Sequence, residues 1–132
     1  MGYRSDVAYA IRFKSREHRI RFMAVQALDH HINLGDFRLV HDDCVLLHYE
    51  AVKWYEDYAD VKAHQRLLAD AKTQGCSWEF CRVGEETGDI ESESDYSIDD
   101  LGNEMYPPDI IMPSQSVYVE TEGEAYPVDE QL

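Results

Sequence analysis

"DVAYAIRFKSREHRIRFMAVQALDHH", residues 6–31, changes its period partway along, and that change decides the fold. Residues 6–13 alternate Val7, Tyr9, Ile11 and Phe13 against Ala8, Ala10 and Arg12, as a half-buried strand does. After Ser15 the apolar positions move to Ile20, Met23, Ala24, Ala27 and His31. That spacing is helical, and Ser15 offers an N-cap. "NLGD", residues 33–36, supplies the stop.

The same two periods recur downstream. "FRLVH" (37–41), the turn "DD" and "CVLLHYEAVKW" (44–54) read as a hairpin. Asp57 or Asp60 can cap a second helix that places Val61, His64, Leu67, Leu68 and Ala71 on one face, with Gly75 at its end. "CSWEFCRV" (76–83) closes with a strand. The order β-α-β-β-α-β predicts an α+β protein, a ferredoxin-like sandwich of two helices on one face of an antiparallel sheet.

Charge divides the chain at residue 84. Residues 1–84 hold 12 Lys and Arg against 12 Asp and Glu, whereas residues 85–132 hold 15 Asp and Glu and no Lys or Arg. The net charge of −15 therefore belongs entirely to the last 48 residues. Those residues also carry Ile90, Tyr96, Ile98, Leu101, Met105, Tyr106, Ile110, Ile111, Val117, Tyr118, Val119 and Tyr126. Solvated acidic tails are poor in such groups. The chain is thus expected to comprise a charge-balanced body (1–84), an acidic C-terminal β-extension packed on it (85–127), and a frayed tail (128–132). Within the extension, 90–97 and 116–125 alternate as strands do.

The acidic residues fall in rows. Glu91, Glu93 and Asp95 occupy every second position, with Asp99 and Asp100 just beyond, and Glu120, Glu122 and Glu124 repeat the spacing. On a strand, residues i and i+2 point the same way, about 6.6–6.8 Å apart. Two such strands lying side by side would present a double line of negative charge, as duplex DNA does at about one charge per 1.7 Å. Like charges in register destabilise a sheet, and an Arg/Lys-lined partner would offset that cost. Acidic runs also serve as solvated faces that keep a chain soluble, an alternative that the sequence leaves open. Trp54, Tyr55 and Tyr58, at a strand–helix junction, are candidate anchors for a protein partner.

Several classes are disfavoured. Phosphates would be repelled, so neither direct nucleic-acid binding nor an anionic membrane surface is expected. No Walker loop, GxGxxG, GxSxG or HExxH occurs, and a non-enzymatic role is expected. The six histidines show no ligand spacing, Cys76 and Cys81 do not form a CxxC, and Asp95–Asp100 lacks the calcium-loop pattern. No metal or cofactor is expected. Three cysteines and no long apolar run point to a soluble protein in a reducing cytosol.

"MGYRSDVAYAI" (1–11) and "VKWYEDYADVKAHQRLL" (52–68) resemble small early proteins of tailed bacteriophages. The acidic extension is similar in character to phage-encoded DNA mimics that block host DNA enzymes, such as gyrase inhibitors of Pseudomonas phages. The resemblance implies a protein at work in the cytoplasm of an infected bacterial cell. It further implies a host DNA-binding partner with a basic groove, DNA gyrase first and a restriction or CRISPR effector in the wider class. An adaptor that binds through the Trp54–Tyr58 aromatics is the other expectation. It carries no site residue across, so the acidic rows and the aromatic junction stand on their own.

Overall fold

Strand β1 (Ser5–Arg12) lies inside a six-stranded sheet, paired with β3 (Cys44–Val52) on one side and β4 (Ser77–Gly84) on the other. The computed structural model describes residues 2–94 and 124–127. Strands β2 (Phe37–His41), β5 (Ile90–Ser94) and β6 (Glu124–Ala125) complete the order β5-β4-β1-β3-β2-β6. Every neighbouring pair is antiparallel. With helices α1 (Arg16–His30) and α2 (Ala59–Thr73), the protein is α+β.

The main core joins both helices to one face of the sheet. Tyr9 and Ile11 of β1, Val45 and Leu47 of β3, and Phe37 of β2 meet Phe22 and Met23 of α1 and Leu67, Leu68 and Ala71 of α2. Burial of this apolar surface supplies the main driving force for the fold. β1 departs from its half-buried pattern, however. Val7 through Ile11 are all at most 1% exposed. A second cluster accounts for this: Ala8, Ala10, Cys44, Leu46 and Cys81 are buried on the other face, with Val40 and Val83 against them. Small residues at alternate positions carried no amphipathic signal, yet both faces of the central strands are covered.

Helix α1 starts as expected, with Ser15 Oγ accepting from the His18 amide at 3.0 Å. Its buried face is Arg19, Phe22, Met23 and Gln26. Of the expected stripe, Met23 is buried and Ala27 packs against the core, whereas Ile20 and Ala24 are half-buried and His31 is exposed. Hydrophobicity misplaced the buried face because two of its residues are polar and are held in the interior by bonds from other parts of the fold. Arg19 Nε donates to the Asp42 carbonyl at 2.6 Å and its guanidinium lies over the Tyr126 ring, while Gln26 Nε2 donates to Asp70. The helix ends at His31, whose φ of 59° is left-handed, before the "NLGD" stop is reached. A single 3-10 turn, Leu34–Asp36, then leads into β2.

Helix α2 buries Val61, His64, Leu67, Leu68 and Ala71, the expected face. Its N-cap is Tyr58, which makes no side-chain cap bond, so neither Asp57 nor Asp60 takes that position. Asp60 instead accepts from the next amide, Val61, at 2.9 Å. Gly75, at φ +77°, turns the chain toward β4.

The extension adds β5 to β4 and β6 to β2. Of the strands expected over 90–97 and 116–125, the described parts are Ile90–Ser94 and Glu124–Ala125. The remainder, and the tail 128–132, lie outside the described residues. Among the described residues, no helix is long and apolar enough to cross a membrane.

Candidate functional site: an acidic and aromatic groove

The turn after β4 is built around Arg82. Strand pairing sets Arg82 opposite Glu91, and the guanidinium spans both that residue and the turn. Arg82 Nε donates to Glu91 at 2.5 Å, Nη2 donates to Asp89 at 2.7 Å, and Nη1 donates to Ser5 at 2.9 Å. The Tyr3 hydroxyl also donates to Asp89, at 2.5 Å. Hydrogen bonds from Arg82, then from Tyr3, hold the Asp89 carboxyl below its ordinary pKa, and the same Asp89 bond raises that of Arg82. A side chain on Gly84 would collide with the Asp89 carboxylate and the Tyr3 hydroxyl, so the absence of one leaves room for their hydrogen bond where the strand enters the turn.

This anchored turn aims β5. Glu91 and Glu93 point to the same side as Arg82 and Phe80, their partners across the strand pair. That side is also the one bearing the helices, since Phe80 and Trp78 pack against the main core. Between β4, β5, α2 and the loop 53–56 runs a groove of about 510 Å³. Trp54, Tyr55, Trp78 and Phe80 form its aromatic walls, and Glu56, Asp89, Glu91 and Glu93 its acidic edge. Trp54 stacks between Phe80 and His64, with ring centroids 6.3 and 5.8 Å away. Lys72 Nζ stands 4.1 Å from the centroid of Trp78.

The groove joins two sets of residues that the sequence kept apart. Glu91 and Glu93 of the first acidic row meet Trp54 and Tyr55 of the aromatic junction. Tyr58 sits outside the groove, 41% exposed, with its ring 5.1 Å from that of Tyr55. Asp95, Asp99, Asp100, Glu120 and Glu122 lie outside the described residues. Glu124 opens β6, at the sheet edge opposite β5. Five strand spacings of about 4.8 Å put those edges about 24 Å apart. The acidic segments on β5 and β6 therefore do not run side by side.

Tyr3, Lys72, Trp78, Phe80, Arg82 and Asp89 also line the groove, and sequence reasoning assigned none of them a binding role. One signal was present. Trp78, Phe80 and Arg82 alternate on β4, so a single face of that strand carries two aromatics and a cation.

A second cleft lies between the end of α1 and the start of α2, where His64 meets Tyr49 and Asp36. Tyr49 donates to Asp36 at 2.6 Å, His64 Nε2 lies 3.3 Å from Tyr49, and Nδ1 lies 2.6 Å from the Tyr9 hydroxyl. This pattern assigns His64 as the neutral Nε2–H tautomer: Tyr9 donates to Nδ1 and Nε2 donates to Tyr49. Each donor in this Tyr9–His64–Tyr49–Asp36 relay has an acceptor, and burial lowers the His64 pKa. The relay ties α2 to the sheet and leaves no reactive group unpaired. Among the described residues, no group of three or more His, Cys, Asp or Glu side chains is arranged to hold a metal ion.

No protein-family model, curated protein or solved structure matches the chain.

Proposed function

We propose that this is a non-enzymatic binding protein that sets the acidic β5 edge against the basic, DNA-binding surface of a host DNA-processing protein and keeps DNA off it. The observation that carries the reading is the mounting of Glu91 and Glu93. Both carboxylates stand on a strand hydrogen-bonded to β4, on one side, with aromatic surface beneath them. Charge held on a firm support loses little conformational entropy on binding. DNA gyrase is the first candidate target, on the strength of the likeness to phage early proteins, and the cytoplasm of an infected bacterium is the setting. The body, residues 1–84, is read as ferredoxin-like. The order β4-β1-β3-β2, with a helix after β1 and another after β3, supports that assignment.

The test is displacement of labelled duplex DNA from gyrase at low and high salt. Displacement should weaken with salt, because exposed charges are screened beyond about 8 Å at physiological ionic strength. Glu93→Lys should abolish it if the β5 edge is used. Glu124→Lys reports on the opposite edge in the same assay. Undiminished displacement by Glu93→Lys removes β5 from the mechanism.

A second reading is favoured by the exposure of Tyr58 and by the groove walls Trp54 and Tyr55. In it the protein is an adaptor held by aromatics, and its acidic residues only solubilise. Trp54→Ala would then abolish capture of the partner, while Glu93→Gln and added salt would leave it unchanged.

A further inference from the structure

We infer that the groove receives an arginine side chain from the partner, its guanidinium laid on the aromatic wall and clamped by Glu93. The inference rests on the reading that the partner is basic and names how one residue of it is gripped. Four observations converge. First, the acidic edge is unequally neutralised: Arg82 engages Asp89 and Glu91, whereas Glu56 and Glu93 have no cationic partner among the described residues. Two carboxylates thus remain for an incoming cation.

Second, the walls are of the right kind. Trp54 and Phe80 are half-buried, so part of each ring faces the groove. Aromatic faces attract cations within about 6 Å of the ring centroid, Trp most strongly. Third, the groove already holds one such contact, Lys72 over Trp78. Among the described residues, the Trp54–Phe80 end, next to Glu93, carries no such cation. Fourth, at about 510 Å³ the groove falls within the size of ligand clefts, about 300–1,000 Å³.

Arginine fits this chemistry better than lysine. Its planar guanidinium stacks on rings and pairs with a carboxylate through two parallel hydrogen bonds, whereas the lysine ammonium is a strongly hydrated point charge. The groove would therefore discriminate between two cations of equal charge, which a solvated acidic surface does not.

The chain offers its own reporter. Its two tryptophans, Trp54 and Trp78, both line the groove, so intrinsic fluorescence reads this site. The probe is a capped Arg-Gly repeat hexapeptide, titrated into the full chain, beside its lysine and citrulline counterparts. The arginine peptide should give a saturable change, the lysine peptide a several-fold weaker one, and the uncharged citrulline peptide none. Glu93→Gln, on an exposed site, should weaken the arginine peptide by about 2–5-fold, the effect of losing an exposed ion pair, with the circular dichroism spectrum unchanged. Phe80→Leu, which keeps apolar packing but removes the ring, should abolish the preference for arginine over lysine.

No saturable change up to about 10 mM peptide would overturn the inference, since even a contact of about 4 kcal/mol binds in the millimolar range. Equal binding of the citrulline peptide would overturn it too, as would a Glu93→Gln titration identical to wild type. The two readings fail separately. If the peptide binds as described and gyrase keeps its DNA, the groove stands and the inhibitor reading falls. If DNA is displaced but the peptide does not bind, the reverse holds.

Discussion

The hydroxyl of Tyr9, a residue with no exposed surface, lies 2.6 Å from Nδ1 of His64, 55 positions away on α2. With Tyr9 as the donor, that bond needs a neutral imidazole. A protonated ring would present N–H to the Tyr9 oxygen and leave the buried hydroxyl without its acceptor. Burial lowers the His64 pKa, with Asp60 and Asp36 nearby pulling the other way. The unfolded chain thus binds a proton at His64 more readily than the folded one. The contribution of this group is complete above about pH 6.5, the ordinary histidine value, and is lost as pH falls below it. Denaturant midpoints taken from about pH 7.5 down to 5 should decline, and His64→Gln should remove that part of the slope. Tyr9→Phe should destabilise at all these pH values by about 1–3 kcal/mol, because Nδ1 stays buried without a donor.

The cysteines report on the two sheet faces. Cys76 lies in the helix-side core, while Cys44 and Cys81 lie in the cluster on the other face, and all three are at most 2% exposed. Burial pushes the Cys44 thiol up to about 12 and that of Cys76 to about 11. Neither forms thiolate near neutral pH, and thiolate is the reactive species. A chromogenic disulfide reagent should therefore find almost no reactive thiol in the native protein and three in denaturant. Prompt labelling of the native chain would show the second face open to solvent.

The elements with one clean period were legible in the sequence. Val61, His64, Leu67, Leu68 and Ala71 declared the buried face of α2 because all of them sit on one helical stripe. Helix α1 hid its face, since Arg19 and Gln26 are buried through bonds to Asp42 and Asp70 that only the tertiary fold supplies. The second core was hidden for a related reason: Ala8 and Ala10 look neutral in any pattern, yet Leu46 and Cys81 pack beside them. At the groove, the acidic alternation of Glu91 and Glu93 was visible. Their relation to Arg82, Phe80 and Trp54 depends on the turn at 84–90 and on strand order, and neither is encoded in local spacing.

Among the described residues, two non-glycine residues occupy left-handed backbone, Ala51 at φ 53° and His31 at φ 59°. Ala51 lies beside the register shift between β1 and β3, held by its amide to Asp6 and its carbonyl to Arg4. For an ordinary residue this conformation costs about 1–2 kcal/mol, which glycine avoids at some entropic loss in the unfolded chain. Ala51→Gly should therefore stabilise the fold by up to about 1 kcal/mol, and His31→Gly likewise at the end of α1. Both are read as rises in the thermal midpoint. A fall in either would mean that the side chain contributes contacts worth more than the strain.

Arg82 gives the sharpest opposition between stability and binding. Its side chain is 14% exposed and serves Asp89, Glu91 and Ser5 at once. Arg82→Gln removes charge-assisted bonds from a half-buried site and should destabilise by about 1–3 kcal/mol. The Asp89 carboxyl, no longer held down by the guanidinium, should titrate closer to its ordinary value in carbon-detected NMR. The same substitution also releases Glu91 on the groove edge. With one more carboxylate free, the arginine peptide should bind about 2–5-fold tighter, the gain expected of an exposed ion pair. A variant that melts earlier yet grips arginine harder separates the turn's structural role from the groove's recognition role. Weaker binding, with the circular dichroism spectrum intact, would mean that Arg82 itself shapes the site and that free carboxylate charge does not set the affinity.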